Sequence, residues 1–198
     1  MMVSFSLIFL AYTIFGLLHT LLASLWMKAW VDKYLGVSVS KYYRLFYNLV
    51  SVILLGGIFW IVIHFPSIEI YVIPSPLIYL TLLIQTLAAL SLLAALAQTG
   101  LSAFLGLNQL GSLQKIPPSD TLKVTGFYRW IRHPIYTFGL FFLWLIPLMN
   151  LNILAFNLAT TLYIFVGIYF EERKLFQEFG EEYAEYRHHT SMLIPPFL

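Results

Sequence analysis

Four long stretches of this 198-residue chain contain no Asp, Glu, Lys or Arg: residues 1–27, 45–68, 70–114 and 133–170. A helix needs about 20 apolar residues to cross about 30 Å of hydrocarbon. The first two runs therefore predict one span each, near 4–26 and 46–65. The third predicts one span near 76–98, because Pro74 and Pro76 delay its start. Its tail, Thr99 to Gln114, collects Gly100, Gly106, Asn108, Gln109 and Gly111 and reads as a loop or interfacial turn. The fourth run is interrupted by Pro147, Asn150 and Asn152, which predicts a tight helical hairpin with spans near 134–148 and 152–170. The expectation is an all-α integral membrane protein, one membrane-embedded domain over 1–198 with five spans. Composition agrees: 10% of residues are charged, against roughly 25% in a soluble domain, too few to clothe a water-facing surface. The absence of Cys excludes disulfides, thiolate nucleophiles and Cys-based metal sites, and no metal site is expected. A net charge of +2 gives no case for a nucleic-acid partner.

The basic residues sort into three segments: Lys28, Lys33, Lys41 and Arg44; Lys115, Lys123, Arg129 and Arg132; Arg173, Lys174 and Arg187. Five spans put all eleven on one side, which the positive-inside bias makes cytoplasmic. The opposite connections, around 66–75 and 149–152, contain Glu69 and no Lys or Arg. The N-terminus is expected outside and the C-terminus in the cytoplasm. The first apolar run lacks a basic leader and is too long for a typical signal peptide, so it is kept as a span.

Polar chemistry collects on the basic side. Pro134 suits the first turn of a helix, where its missing N–H costs nothing. The span it starts turns free backbone N–H groups and a partial positive charge toward that side, with Arg132 and His133 beside it. The last span returns to the same face and ends in Glu171-Glu172-Arg173-Lys174. Glu171 and Glu172 should therefore come back close to His133 and Tyr136. A cationic helix start meeting two carboxylates suits a ligand with both an anionic end and hydroxyl or ammonium groups. S-adenosylmethionine carries a carboxylate, an ammonium, a sulfonium and ribose hydroxyls. Beyond Glu172, Leu175, Phe176, Phe179, Tyr183 and Tyr186 form an apolar stripe on a charged helix. Such a helix can lie on the membrane face and roof a site beneath it.

Each feature also has a plainer account. Arg and Lys at span ends snorkel, Pro at a first turn is ordinary, and paired glutamates often begin a solvated helix. His188 and His189 are adjacent on a helix and point apart. His64 falls at the outer interface. His19 lies deeper within a span, where an ionisable group is a functional suspect by default.

The segments GFYRWIRHPIYTFG (126–139) and EERKLFQEFGEEYAEYRHHTSMLIP (171–195) resemble the C-terminal signature of the isoprenylcysteine carboxyl methyltransferase superfamily. That pattern runs G-x-Y-x-x-x-R-H-P-x-Y-x-G, a hydrophobic hairpin, then E-E-x-x-L-x-x-x-F-G-x-x-Y-x-x-Y and a closing Pro. Here the glycine of the first half, Gly139, comes one position late. GLLHTLLAS (16–24), YYRLFYNLVSVILLGGIFW (42–60) and FLGLNQL (104–110) look like the bacterial methanethiol S-methyltransferase branch. Asn108 departs from it, standing where an arginine is expected.

The resemblance implies an integral membrane methyltransferase that binds S-adenosylmethionine without a Rossmann domain, and no G-x-G-x-x-G follows a strand here. By position, Tyr128, His133, Pro134, Ile135 and Tyr136 would contact cofactor, with Glu171 as the partner carboxylate; Arg132 and Glu172 join these cofactor candidates from the reading of the residues themselves. Asp120, Thr121, Leu122 and Lys123 match a cofactor-wrapping loop, and Gln114 matches a glutamine before it, so that 114–195 forms the cofactor-binding half. His133 and His19 are the candidates for a base that deprotonates a thiol. In the eukaryotic carboxyl methyltransferases an arginine one turn before the glutamates meets substrate. Gly167-Ile168-Tyr169-Phe170 offers no cation there, which favours a small or lipophilic thiol such as methanethiol over a prenylcysteine carboxylate. A bacterial inner membrane follows as the location, with membrane lipid as the surroundings. The rival expectations are an isoprenylcysteine-type carboxyl methyltransferase, an NADPH-dependent membrane lipid reductase and a non-enzymatic helical membrane protein.

Overall fold

The computed structural model describes residues 2–100 and 121–194. The described chain is almost wholly helical: α1 (Met2–Ala23), α2 (Leu25–Leu35), α3 (Val37–His64), α4 (Leu77–Gln98), a 3-10 turn at Gly126–Arg129, α5 (Pro134–Trp144) and α6 (Leu151–His189). Two short strands, β1 (Glu69–Val72) and β2 (Leu148–Asn150), pair beside the expected hairpin turn. Among the described residues, four helices are long and apolar enough to cross a membrane: α1, α3, α4 and α6. Large apolar side chains such as Leu17, Val52, Tyr79 and Leu93 point outward from them, as expected where the solvent is lipid. This is an all-α membrane protein.

Two compact units divide the described residues. The first comprises residues 2–70 and Asn150–Ala159. In it α1 packs along α3, and α2 packs on both. Ile8, Tyr12 and Phe15 are buried at spacings of four and three, one stripe of α1. The rings of Tyr12 and Phe59 each meet Phe156 edge-on. Ser24 separates α1 from α2, its hydroxyl accepting from the Met27 N–H at 3.2 Å as an N-cap. The uncharged run 1–27 concealed this boundary. Trp26, Trp30 and Tyr34 are exposed on α2 beside Lys28 and Lys33, the composition of an interfacial helix.

The end of α3 is closed by Asn152. This side chain is 0% exposed, and its amide donates to the Phe65 carbonyl at 3.0 Å and the Val62 carbonyl at 3.4 Å. The Asn152 N–H donates to the Ser67 hydroxyl at 3.0 Å, and Leu151 N–H to the Ile68 carbonyl at 2.9 Å. Carbonyls at a helix end have no partner within the helix, so an asparagine that the sequence presents as a helix breaker works here as a cap.

The second unit comprises Tyr71–Thr99, residues 121–149 and 160–194. Here α4 packs along α5, with Ala88 and Ala95 buried two turns apart and Gln85 donating to the Phe142 carbonyl at 2.9 Å. Small residues let membrane helices approach closely. The expected span 134–148 is realised as an 11-residue helix, about 16 Å long at 1.5 Å per residue. It stops at Trp144 because Pro147 disfavours helical geometry in the residue before it. The Ile73 N–H then finds the Pro147 carbonyl at 2.9 Å. α6 does not stop where the charges begin. With no proline in its length, it runs through Glu171-Glu172 to Gly180, whose φ of 53° and ψ of −123° break it into two helices.

Asn152→Ala should destabilise the protein by about 1–3 kcal/mol by stranding buried carbonyls, and Asn152→Asp by more, because it buries a charge. Thermal unfolding in detergent checks both.

Candidate functional site

The site lies in the second unit and is organised by one carboxylate. Glu172 accepts from Arg132 Nε at 2.8 Å, with side chains only 9% and 13% exposed. The same oxygen lies 3.3 Å from His133 Nε2, and the other lies 3.6 Å from Arg187 Nε. His133 Nδ1 faces Glu171 at 3.6 Å. Both ring nitrogens of His133 thus point at carboxylates, and its contacts hold the two glutamates apart. Tyr136 stacks on the His133 ring and hydrogen-bonds Glu171. The sequence-predicted meeting of Arg132-His133 with Glu171-Glu172 is present in the geometry.

The chain's last described segment locks this arrangement. Ile131 and Ser191 form a parallel bridge. Arg132 N–H donates to the Ser191 carbonyl at 2.8 Å and His133 N–H to that of Met192 at 3.2 Å. The Arg132 guanidinium also donates to the carbonyls of Arg187 and Thr190. Thr137, buried in the first turn of α5, bonds the Leu193 carbonyl at 2.8 Å. Pro134 is fully buried at the first helical position, as its sequence context predicted.

Beside the knot is a cavity of about 180 Å³. Its polar wall carries Thr99, Thr121, Lys123, Tyr128, Arg132 and Glu171, and its other wall Leu122, Leu175, Phe179, Tyr183 and Tyr186. Thr121, Leu122, Lys123, Tyr128, Arg132 and Glu171 were legible as candidates; of the apolar stripe on α6, Leu175, Phe179, Tyr183 and Tyr186 line the cavity and Phe176 is exposed. His133, Pro134, Ile135, Tyr136 and Glu172 sit in the structure around the cavity rather than on its lining. Gln114, Asp120 and Asn108 lie outside the described residues. His19 belongs to the first unit, where its Nδ1 lies 2.7 Å from the Ser51 hydroxyl. Ser51 gives its own proton to the Tyr47 carbonyl at 2.7 Å.

Sequence reasoning missed Gln98, Thr99, Arg187 and Thr190. The available signal was a polar pair ending an apolar span just before Gly100. Gln98 fixes the approach to the site: its amide oxygen accepts from Phe127 N–H at 3.2 Å. Gly126 makes this possible, since its φ is +64° and a Cβ there would overlap the Gln98 amide.

Burial favours neutral Glu172, but Arg132 and His133 more than offset it and hold its carboxyl below the ordinary 4.5. Burial likewise raises Tyr128, aided by the charge of Glu171. It pushes Tyr183 and Tyr186 up to about 12. At neutral pH these phenols keep their protons and act as donors. Tyr186 donates to the Tyr128 carbonyl at 2.6 Å. The Tyr183 hydroxyl is buried beside the Glu172 carboxylate.

Fold and site together define a helical membrane protein with a cation–carboxylate knot beside a phenol-lined cavity. Along nearly its whole length the chain is similar to methanethiol S-methyltransferases, the branch its motifs resemble. Methanethiol S-methyltransferase 1 of Bradyrhizobium diazoefficiens is 30% identical over 197 residues, covering 94% of this chain and 65% of that protein. The methanethiol S-methyltransferase of Pseudomonas deceptionensis is 29% identical over 189 residues, covering 94% and 71%. That of Mycobacterium tuberculosis is 43% identical over 68 residues, 34% of this chain and 28% of that protein. The chain therefore spans about two thirds of the length of the first two relatives. No family model and no solved structure matches it.

Gly126→Ala should cost about 1–2 kcal/mol for the left-handed backbone alone, and more as Gln98 is displaced; a melting curve in detergent checks it. Glu172 has a folded value below its unfolded one, so its stabilisation is complete above pH 4.5 and lost as pH falls through the lowered value. Melting temperature should therefore drop in acid, and Glu172→Gln should be less stable at pH 7 with a shallower acid limb. An acid limb of unchanged steepness in the variant contradicts this role for Glu172.

Proposed function

We propose that this protein is an S-adenosylmethionine-dependent membrane methyltransferase that methylates a small or lipophilic thiol, methanethiol being the leading acceptor. The observation that carries the proposal is the carboxylate pair held by His133 beside the cavity. Glu171 keeps 44% of its side chain exposed while Glu172 is consumed by cations. A half-open carboxylate and the hydroxyls of Thr99 and Thr121 fit a cationic ligand rich in hydrogen-bonding oxygens. They fit a multiply anionic dinucleotide poorly. The names of the homologues support the same class of reaction and acceptor.

On this reading Tyr128, Glu171 and the segment Thr121-Leu122-Lys123 hold the cofactor, with Gln114 and Asp120 assigned to the same loop. Arg132, His133, Pro134, Ile135, Tyr136 and Glu172 set the position of that wall. The chemistry such a cofactor supplies is an electrophilic methyl group on a sulfonium. The protein's part is alignment of the acceptor and exclusion of water, for which Leu122, Leu175 and Phe179 provide apolar cover. A thiol reacts as thiolate, and His133, whose ring stands between Glu171 and Glu172, is the proposed proton acceptor. The missing cation at Gly167-Ile168-Tyr169-Phe170 favours a neutral acceptor over a carboxylate. The basic segments face the cytoplasm of a bacterial inner membrane, with the N-terminus outside.

Calorimetric titration of the purified protein tests the class. S-adenosylhomocysteine should bind and NADPH should not. Glu171→Ala should weaken binding by about tenfold or more, the effect of one charge-assisted hydrogen bond. Binding of NADPH alone sinks the methyltransferase reading. Methyl transfer should then be fastest to methanethiol when compared with a prenylcysteine and a long-chain lipid.

A further inference from the structure

The cavity of the second unit is lined by two cationic side chains, Arg132 and Lys123, and by the carboxylate of Glu171. The two cations are in different circumstances. Arg132 donates to Glu172 at 2.8 Å and to the carbonyls of Arg187 and Thr190. Turning it toward a ligand would strip a partner from a mostly buried carboxylate, which is costly. Lys123 is exposed and makes no hydrogen bond or ion pair among the described residues. Glu171 has its protein contacts elsewhere, with His133 Nδ1 at 3.6 Å and the Tyr136 hydroxyl. One wall thus presents a positive and a negative group that are not paired with each other, the complement of a ligand bearing both charges.

We infer that the Lys123 ammonium receives the carboxylate of the bound cofactor, while Glu171 faces the positive charge of the same ligand. The inference rests on the cofactor reading above and fixes which end of the ligand meets which side chain. The Arg132 guanidinium, the choice its sequence position suggests, is consumed inside the protein, whereas Lys123 gives up no contact of the described fold when it pairs. A compact ammonium on a flexible stem can follow an anion without the planar fit that a guanidinium demands. Because Lys123 is open to water, its pair is screened, and its contribution has the modest size of an exposed ion pair.

Two ligands that differ only in the carboxylate test this. S-adenosylhomocysteine carries it; its decarboxylated analogue keeps the adenosine, the thioether and the ammonium. In calorimetric titrations of the purified protein, Lys123→Met should raise the dissociation constant for S-adenosylhomocysteine about fivefold. The same variant should bind the decarboxylated analogue as wild type does, which also reports that it is folded. Lys123→Arg keeps the charge and should retain most of the affinity for S-adenosylhomocysteine. Wild-type affinity of Lys123→Met for S-adenosylhomocysteine overturns the inference. An equal loss for both ligands also overturns it, because Lys123 would then meet the nucleoside or shape the wall. If the wild-type protein gives no heat with S-adenosylhomocysteine, the cofactor reading itself fails; wild-type heat with an indifferent Lys123→Met sinks this inference alone.

Discussion

The carboxylate of Glu172 is the point on which the second unit depends. It sits at the end of the apolar part of α6 with 13% of its side chain exposed, and it collects Arg132, His133 and Arg187. A charge withdrawn from water that far is tolerable only when paired and hydrogen-bonded. Satisfying it draws together three stretches distant in sequence: the start of α5, the middle of α6 and the last described segment. Arg132 completes the joint by giving its remaining hydrogen bonds to the carbonyls of Arg187 and Thr190. Once that knot exists, the first turn of α5, the Ile131–Ser191 bridge and the cavity wall follow from it. Removing any one cation would leave a buried anion short of partners, so the knot behaves as a unit rather than as separate ion pairs.

The apolar framework was legible because it rests on absence. Uncharged runs longer than a bilayer needs can be nothing but membrane helices or their turns, and α1, α3, α4 and the first part of α6 lie where those runs placed them. Boundaries inside a run were another matter. Ser24 ends α1 within an uninterrupted apolar stretch, and only its capping bond to Met27 reveals α2. Pro147 shortens α5 from the residue before it, so a span counted by apolarity came out several residues too long. At Glu171 the opposite error arises: a change from apolar to charged alters which solvent a helix faces, not whether it continues. Gly180, with its left-handed φ, is where the backbone breaks.

Asn152 shows why breaker residues mislead in a membrane. On composition it belongs with Pro147 and Asn150 as a turn signal, and in part it is one, since Asn150 caps α6 through the Ile153 N–H. Its own side chain reaches back to α3, where lipid would leave the final carbonyls bare. Nothing in the local sequence says which distant helix end an asparagine will cap. Pairing of this kind is tertiary information.

The site repeats that lesson in charges. Two halves of a motif at the ends of one hairpin were enough to predict which residues meet, but not which would neutralise which. Arg132 and His133 suggested a cradle for a ligand's carboxylate. In the structure Arg132 is spent on Glu172 and on backbone carbonyls, and His133 lies between two glutamates. The cations therefore serve the protein's own anions, and what the cavity retains is Glu171, Lys123, hydroxyls and phenols that hold their protons. That inversion changes the kind of ligand the wall prefers. A surface whose arginine is internally compensated offers one open carboxylate, Glu171, beside Lys123 and several hydroxyl donors. Under the proposed function, a sulfonium would face Glu171 and ribose hydroxyls the surrounding donors.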